Sequence, residues 1–167
     1  MSGQGAGEEP GEGAGPAIPP AAWFEDFVPG GGWSTGGYTF SESEVIDFAF
    51  RFDPQPFHID AEAARASIWG GLIVSGFHTL SVAFRLVYQS GPLNPNNIGG
   101  KGIDEIRWHR AVRPGDTIRV AVEVLSATES RRQPDRGTVV LRYAVANQHG
   151  ESVMTADFLH VVARRPL

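Results

Sequence analysis

Cysteine is absent from this 167-residue chain, which excludes a disulfide framework, a zinc ribbon and a thiolate nucleophile. The five histidines include no pair at the four-residue spacing of a helical zinc site. No apolar run approaches the roughly 20 residues that a membrane span needs. No basic segment followed by an apolar one opens the chain, as a secretory signal would. Excess positive charge is lacking as well. At a formal charge of −5, general binding to a nucleic-acid backbone is excluded. The absences lead to the expectation of a soluble cytoplasmic protein with neither a membrane nor a nucleic-acid partner.

What is present suffices for one full core. Hydrophobic residues make up 41% of the chain, and the length suits a single domain. Eleven of the 21 glycines fall in the first 37 residues. Met1 to Ala22 is mostly Gly, Pro, Ala and Glu, too poor in large apolar side chains to pack, and is expected to be a flexible tail. Residues 23–167 then form one folded domain.

Within it, Ser41 starts a helix. Its hydroxyl is placed to cap the Glu44 amide while Glu44 reaches back to the Ser41 amide, and Val45, Ile46, Phe48, Ala49 and Phe52 follow at helical spacing. Pro54 and Pro56 end that helix, leaving Asp53 to Phe57 extended or turning. Asp60 caps a short helix through Ala66. A long apolar helix is expected from Ile73 to Tyr88, with Ile73, Phe77, Leu80, Phe84 and Val87 as its stripe. Strict alternation then marks strands at Thr117–Leu125, Thr138–Ala146 and Ser152–Ala163, with a fourth at Ile106–Val112. Short turns between them make neighbours antiparallel. The fold class is α+β, a curved antiparallel sheet around one long helix.

Asp53 and His58 stand five residues apart on a segment stiffened by two prolines. A carboxylate and an imidazole in fixed geometry can share one water, one taking a proton and the other returning it. An Asp that merely ends a helix and a His packed on Phe57 would give the same spacing. Gly76 allows close approach to a helix start whose amides can meet an anionic oxygen; tight helix–sheet packing would favour glycine equally. His78 and His160 read as buried, His109 and His149 as structural or exposed, and Ser81 as bonded to a backbone carbonyl. Charge is segregated: residues 23–90 carry eight acidic and three basic side chains, residues 101–142 nine basic and six acidic.

Asp53-Pro54-Gln55-Pro56-Phe57-His58-Ile59-Asp60, Ala63-Ala64, the run from Gly70 to Ser81, and Val112-Arg113-Pro114-Gly115-Asp116-Thr117 resemble the MaoC-like dehydratases, a family that includes R-specific enoyl-CoA hydratases. The resemblance extends over residues 33–164. It implies a hot dog fold, a homodimer or higher homo-oligomer, and hydration of a trans-2-enoyl-CoA to a 3-hydroxyacyl-CoA. Asp53 and His58 match the family's catalytic pair, and Gly76 the glycine whose amide polarises the thioester carbonyl. Gln55, Phe77 and Ser81 are expected beside the substrate. Gln55 stands where the family often has Asn. Phe77, His78 and Phe84 are bulkier or more polar than residues common there, which implies a short or polar acyl group. Phosphate anchors are expected from Arg107, Arg110 and Arg113, with Arg131, Arg132 and Arg136 as further candidates. No metal and no redox cofactor is implied; coenzyme A is part of the substrate. The competing readings are a hot dog thioesterase, which usually carries a carboxylate on the central helix, and a non-catalytic acyl-binding or partner subunit of a dehydratase complex.

Overall fold

A computed structural model describes residues 15–166. The elements run β1 (Gly32–Ser34), β2 (Tyr38–Thr39), α1 (Glu42–Phe52), α2 (Pro56–Ile59), α3 (Ala61–Ala66), α4 (Gly76–Gln89), β3 (Asn97–Trp108), β4 (Thr117–Glu129), β5 (Arg136–Ala146) and β6 (Ser152–Ala163). The sheet order is β1-β4-β5-β6-β3, with β2 also on β4, and every strand pairing is antiparallel. The inward residues of β4 and β5 (Ile118, Val120, Val122, Val124, Val139, Leu141, Tyr143, Val145) are buried as alternation predicts, and meet Val82, Ala83 and Val87 of α4. This is the α+β hot dog arrangement.

The caps explain the helix boundaries. Ser41 Oγ accepts from the Glu44 amide. The Glu44 carboxylate turns back to the cap, accepting the Ser41 hydroxyl at 2.8 Å, and also takes the Tyr38 hydroxyl at 2.7 Å. Pro56 opens the single-turn α2 rather than lying in an extended stretch, since the first helical position needs no amide hydrogen. Asp60 Oδ1 takes the amides of Glu62 and Ala63, capping α3 as expected.

Three expectations need correction. The long helix begins at Gly76, not Ile73, because residues 73 and 74 give their amides to other segments: Ile73 to the Phe57 carbonyl at 3.2 Å, Val74 to that of Val112 at 2.7 Å. The core-facing stripe therefore rotates to Thr79, Val82, Ala83 and Val87, leaving Phe77 57% and Phe84 38% exposed. Strand β3 starts nine residues earlier than residue 106 and stops at Trp108. It is an edge strand, exposed along nearly its whole length and broken by three register shifts, so no alternation marks it. Of the expected tail, residues 1–14 lie outside the described residues, but Gly15 to Ala22 is strapped to the fold. Ala21 and Ala22 donate to the Gly91 and Pro92 carbonyls, Asn96 holds both their carbonyls, and Ile18 and Ala22 are buried. Phe24 follows, its ring filling the space that a Cβ on Gly137 would need.

His160 is a core histidine. Asn97 Oδ1, 3.2 Å from Nδ1, can only accept when its amide is so oriented, so Nδ1 carries the hydrogen and Nε2 accepts from the Tyr143 hydroxyl at 2.9 Å. Burial lowers its pKa from 6.5 to about 4. The unfolded chain then takes up the proton first as pH falls, so the stability held above 6.5 is lost progressively toward 4, on the order of 3 kcal/mol. Urea denaturation across that range should show this slope. His160→Gln should be less stable at pH 7 yet flatter below it; an unchanged slope would exclude His160 as its source.

Candidate active site

The Asp53–His58 segment is built by two helix ends. Asp53 is the C-cap of α1, and His58 lies on the single turn of α2 that Pro56 starts. The turn brings His58 Nε2 to 3.3 Å from Asp53 Oδ2, with the imidazole buried and the carboxylate largely so. His58 Nδ1 lies 2.7 Å from the Ile73 carbonyl oxygen. A carbonyl only accepts, so Nδ1 donates and the ring turns its Nε2 toward Asp53. Nε2 and Oδ2 are close enough to hydrogen-bond directly, or for one water seated beside them to contact both.

Asp53 is itself held from both sides. Ser75 Oγ donates to Oδ2 at 2.6 Å, and Gln55 Nε2 to Oδ1 at 2.8 Å. Desolvation pushes the carboxyl pKa up, but these two hydrogen bonds and the charge of His58 together outweigh it and hold the group below its ordinary value. Asp53 is accordingly a carboxylate at neutral pH. Ser75 is also the N-cap of α4, accepting from the Phe77 amide at 3.2 Å. Gly76, the first residue of α4, lines the same pocket, and a helix start leaves its amide without an intrahelical partner.

The pocket is about 380 Å³ in volume. Asp53, His58, Gln55, Gly76 and Phe77 line it, as does Arg110. Its inner lining is formed by buried Val74, Thr79, Val112 and Val153, and its rim by the partly exposed Trp69, Phe77 and Trp108. Trp108 lies against the first turn of α4: its Nε1 donates to the Gly76 carbonyl at 3.2 Å, and its ring meets Phe77 edge-on at 6.1 Å.

Other candidates stand elsewhere. Ser81 gives its hydroxyl to the Phe77 carbonyl at 2.8 Å, as a helical serine commonly does, and lines a separate shallow groove with Phe48, Phe52 and Phe77. Arg107 is exposed and paired with Glu105 at 3.2 Å, outside the pocket lining. Arg113 spends its guanidinium on the Trp69 carbonyl at 2.6 Å and, more weakly, on that of Leu72 at 3.5 Å; it braces the pocket wall. Arg136 pairs with Asp135 beside the β4–β5 turn, and β5 runs from there to Ala146, whose partner Ser152 opens β6 beside the pocket residue Val153. Arg131, Arg132 and Arg136 are thus at the far end of the sheet from the pocket. His78 is buried, stacked on Phe48 at 4.3 Å, but its Nδ1 has no partner among the described residues, contrary to the satisfied state expected. Ser75, Trp69, Trp108 and Val153 carried no functional signal in the sequence. Only the position of the α4 start would have marked Ser75 as a cap.

A curved sheet around a helix, with a carboxylate, an imidazole and a helix-start amide on one pocket, defines a hot dog domain with acid–base equipment. The family described as MaoC like domain matches residues 28–147, and the chain belongs to this family of MaoC-like dehydratase domains. The chain is 31% identical over 141 residues to the uncharacterized protein YdeM of Bacillus subtilis, covering 84% of this chain and 99% of that one. It is 41% identical to the MaoC-like dehydratase of Rhodospirillum rubrum, with a TM-score of 0.80 over 87% of this chain and 99% of the other. The unliganded R-hydratase PhaJ1 of Pseudomonas aeruginosa, at 22% identity, shares the fold with a TM-score of 0.68 over 87% of this chain and 88% of its own.

A Cβ on Gly76 would come within 2.7 Å of the Trp108 indole. Gly76→Ala should drive the half-exposed ring outward, red-shift tryptophan emission, and cost about 1–3 kcal/mol in thermal denaturation. In a Trp108→Phe background the emission change should vanish; its persistence would show that another tryptophan reports the strain.

Proposed function

We propose that the protein is a hydro-lyase that reversibly adds water to a short-chain trans-2-enoyl-CoA, giving the 3-hydroxyacyl-CoA. The observation that carries this reading is the pair of Asp53 Oδ2 and His58 Nε2, 3.3 Å apart on the pocket that Gly76 also lines. A water seated beside the two atoms can hydrogen-bond both, with an oxygen lone pair left to face the β-carbon of a bound enoyl group. As the C–O bond forms, the pair takes one proton from the water and electron density moves through Cα to the thioester oxygen. The Gly76 amide would meet that oxygen. Return of the proton to Cα completes the addition with atoms balanced, and the reverse sequence is dehydration. Coenzyme A enters as part of the substrate, and these steps require no metal or redox cofactor.

Similarity to a MaoC-like dehydratase at 41% identity supports the reaction class. The short acyl group is supported by the buried inner lining of Val74, Thr79, Val112 and Val153, which closes the pocket against the core. Arg110 lines the pocket and supports one phosphate contact: it pairs with Glu151 at 3.1 Å through one nitrogen, and its exposed guanidinium keeps further donors. The thioesterase reading finds less support, since α4 carries no Asp or Glu. The long exposed edge of β3 fits a homodimer in which two such edges cover one another.

Crotonyl-CoA should lose its enoyl thioester absorbance on incubation with the protein, without release of free thiol; thiol release would indicate a thioesterase. Silence with a panel of enoyl-CoAs would favour a binding subunit. Asp53→Asn and His58→Ala should each lower kcat by about 10²–10⁴-fold, and the double variant should be little worse than either. Strictly additive losses would mean that the two groups do not act on one water.

The phosphate contact is tested separately. Arg110→Ala should raise KM and spare kcat, and the wild-type KM should rise with salt. A KM indifferent to both would remove Arg110 as an anchor.

A further inference from the structure

We infer that Ser75 is a positioning residue that couples the Asp53 carboxylate to the amide end of α4 through a single hydroxyl. The role rests on the hydration reading and extends it. Ser75 is fully buried, so its hydroxyl has no solvent to turn to. Its hydrogen is committed to Asp53 Oδ2 at 2.6 Å, the same oxygen that lies 3.3 Å from His58 Nε2. Its lone pair is committed to the Phe77 amide at 3.2 Å, and its carbonyl to the Thr79 amide at 3.0 Å. The residue therefore belongs at once to the helix whose first amide is Gly76 and to the carboxylate twenty-two positions earlier.

Two consequences follow from that pair of hydrogen bonds. Asp53 cannot rotate about its last torsion without breaking a short buried hydrogen bond, so its free lone pairs keep one orientation toward His58. The start of α4 cannot shift relative to Asp53 either, which fixes the spacing between the group that takes the proton and the amide that receives the enolate oxygen. In such a site a misplacement of about 1 Å can cost about a hundredfold in rate. The electrostatics agree. Against desolvation, which is the largest influence on the Asp53 carboxyl, the Ser75 hydrogen bond is the strongest influence lowering it.

Carboxyl NMR of Asp53 and pH–rate profiles with crotonyl-CoA, in the same set of variants, test this. In Ser75→Ala the Asp53 titration midpoint should rise, and the acid limb of kcat/KM should move to higher pH with it. Its kcat should fall roughly tenfold to a hundredfold while KM changes little. Ser75→Thr, which retains the hydroxyl, should restore the midpoint. Ser41→Ala supplies the control: it removes the α1 cap without touching Asp53, and should lower Tm with both the midpoint and the limb unmoved. If Ser75→Ala behaves as Ser41→Ala does, losing stability with no shift of the Asp53 midpoint, Ser75 is only a cap and the inference is overturned. A shifted midpoint in a protein whose wild type turns over no enoyl thioester would support the coupling and overturn the hydration reading. A shifted midpoint with an unmoved acid limb in an active enzyme would overturn the positioning role.

Discussion

The peptide of Ile73 is the joint on which the site depends. Its amide is held by the Phe57 carbonyl and its carbonyl by His58 Nδ1, so both of its polar groups are fastened to one turn of α2. The Val74 amide is fastened in turn to Val112, at the start of the connection into β4. Held from two sides, residues 73 and 74 stay extended and cannot enter the helix. The helix therefore starts at Gly76, with Ser75 as its cap. The same carbonyl takes the His58 Nδ1 hydrogen, and so turns Nε2 toward Asp53. Backbone pairing, cap position and imidazole orientation are one constraint seen at three places.

Much of this was legible beforehand. Alternation located β4, β5 and β6, because one face of each is buried and period two survives intact. Ser41 and Asp60 announced two helix starts through their side-chain oxygens. The Asp53–His58 pair was visible because two prolines and a five-residue spacing are local facts. What stayed hidden was set by partners remote in sequence. Strand β3, solvated on both faces and bulged, has no period to read. The α4 register depends on hydrogen bonds from Ile73 and Val74 to residues 57 and 112, and an apolar helix with Phe at positions 77 and 84 offers more than one plausible stripe. Ser75 looked like one more small residue in a glycine-rich run until its donor and acceptor were located.

The arginines illustrate the same limit from the side of charge. Counting them predicted a basic half of the chain, which is correct as arithmetic and silent about use. Arg142 forms a two-pronged pair with Asp157 across β5 and β6, Arg164 and Arg165 hold Glu25 and Asp26, and Arg113 braces the carbonyls of the pocket wall. Each assignment follows from geometry between segments, where a guanidinium serves a carbonyl or a neighbouring carboxylate as readily as a phosphate.

The Tyr143–His160 hydrogen bond also bears on how the sheet finds its alignment. Tyr143 stands opposite Ala156 and His160 opposite Val139, so the bond runs diagonally and forms only when β5 and β6 are in their native pairing. A slip of one residue would turn every side chain of one strand to the other face. Val161 and Leu159, which flank His160, could themselves fill the core, but the same slip would carry Thr155 and Asp157 inward with them. A hydroxyl and an imidazole left without partners in the interior would each cost about 1–3 kcal/mol. Two buried polar atoms thus act as a checksum on strand alignment, adding their own penalty to the one that the charge and polarity of the outer face already impose.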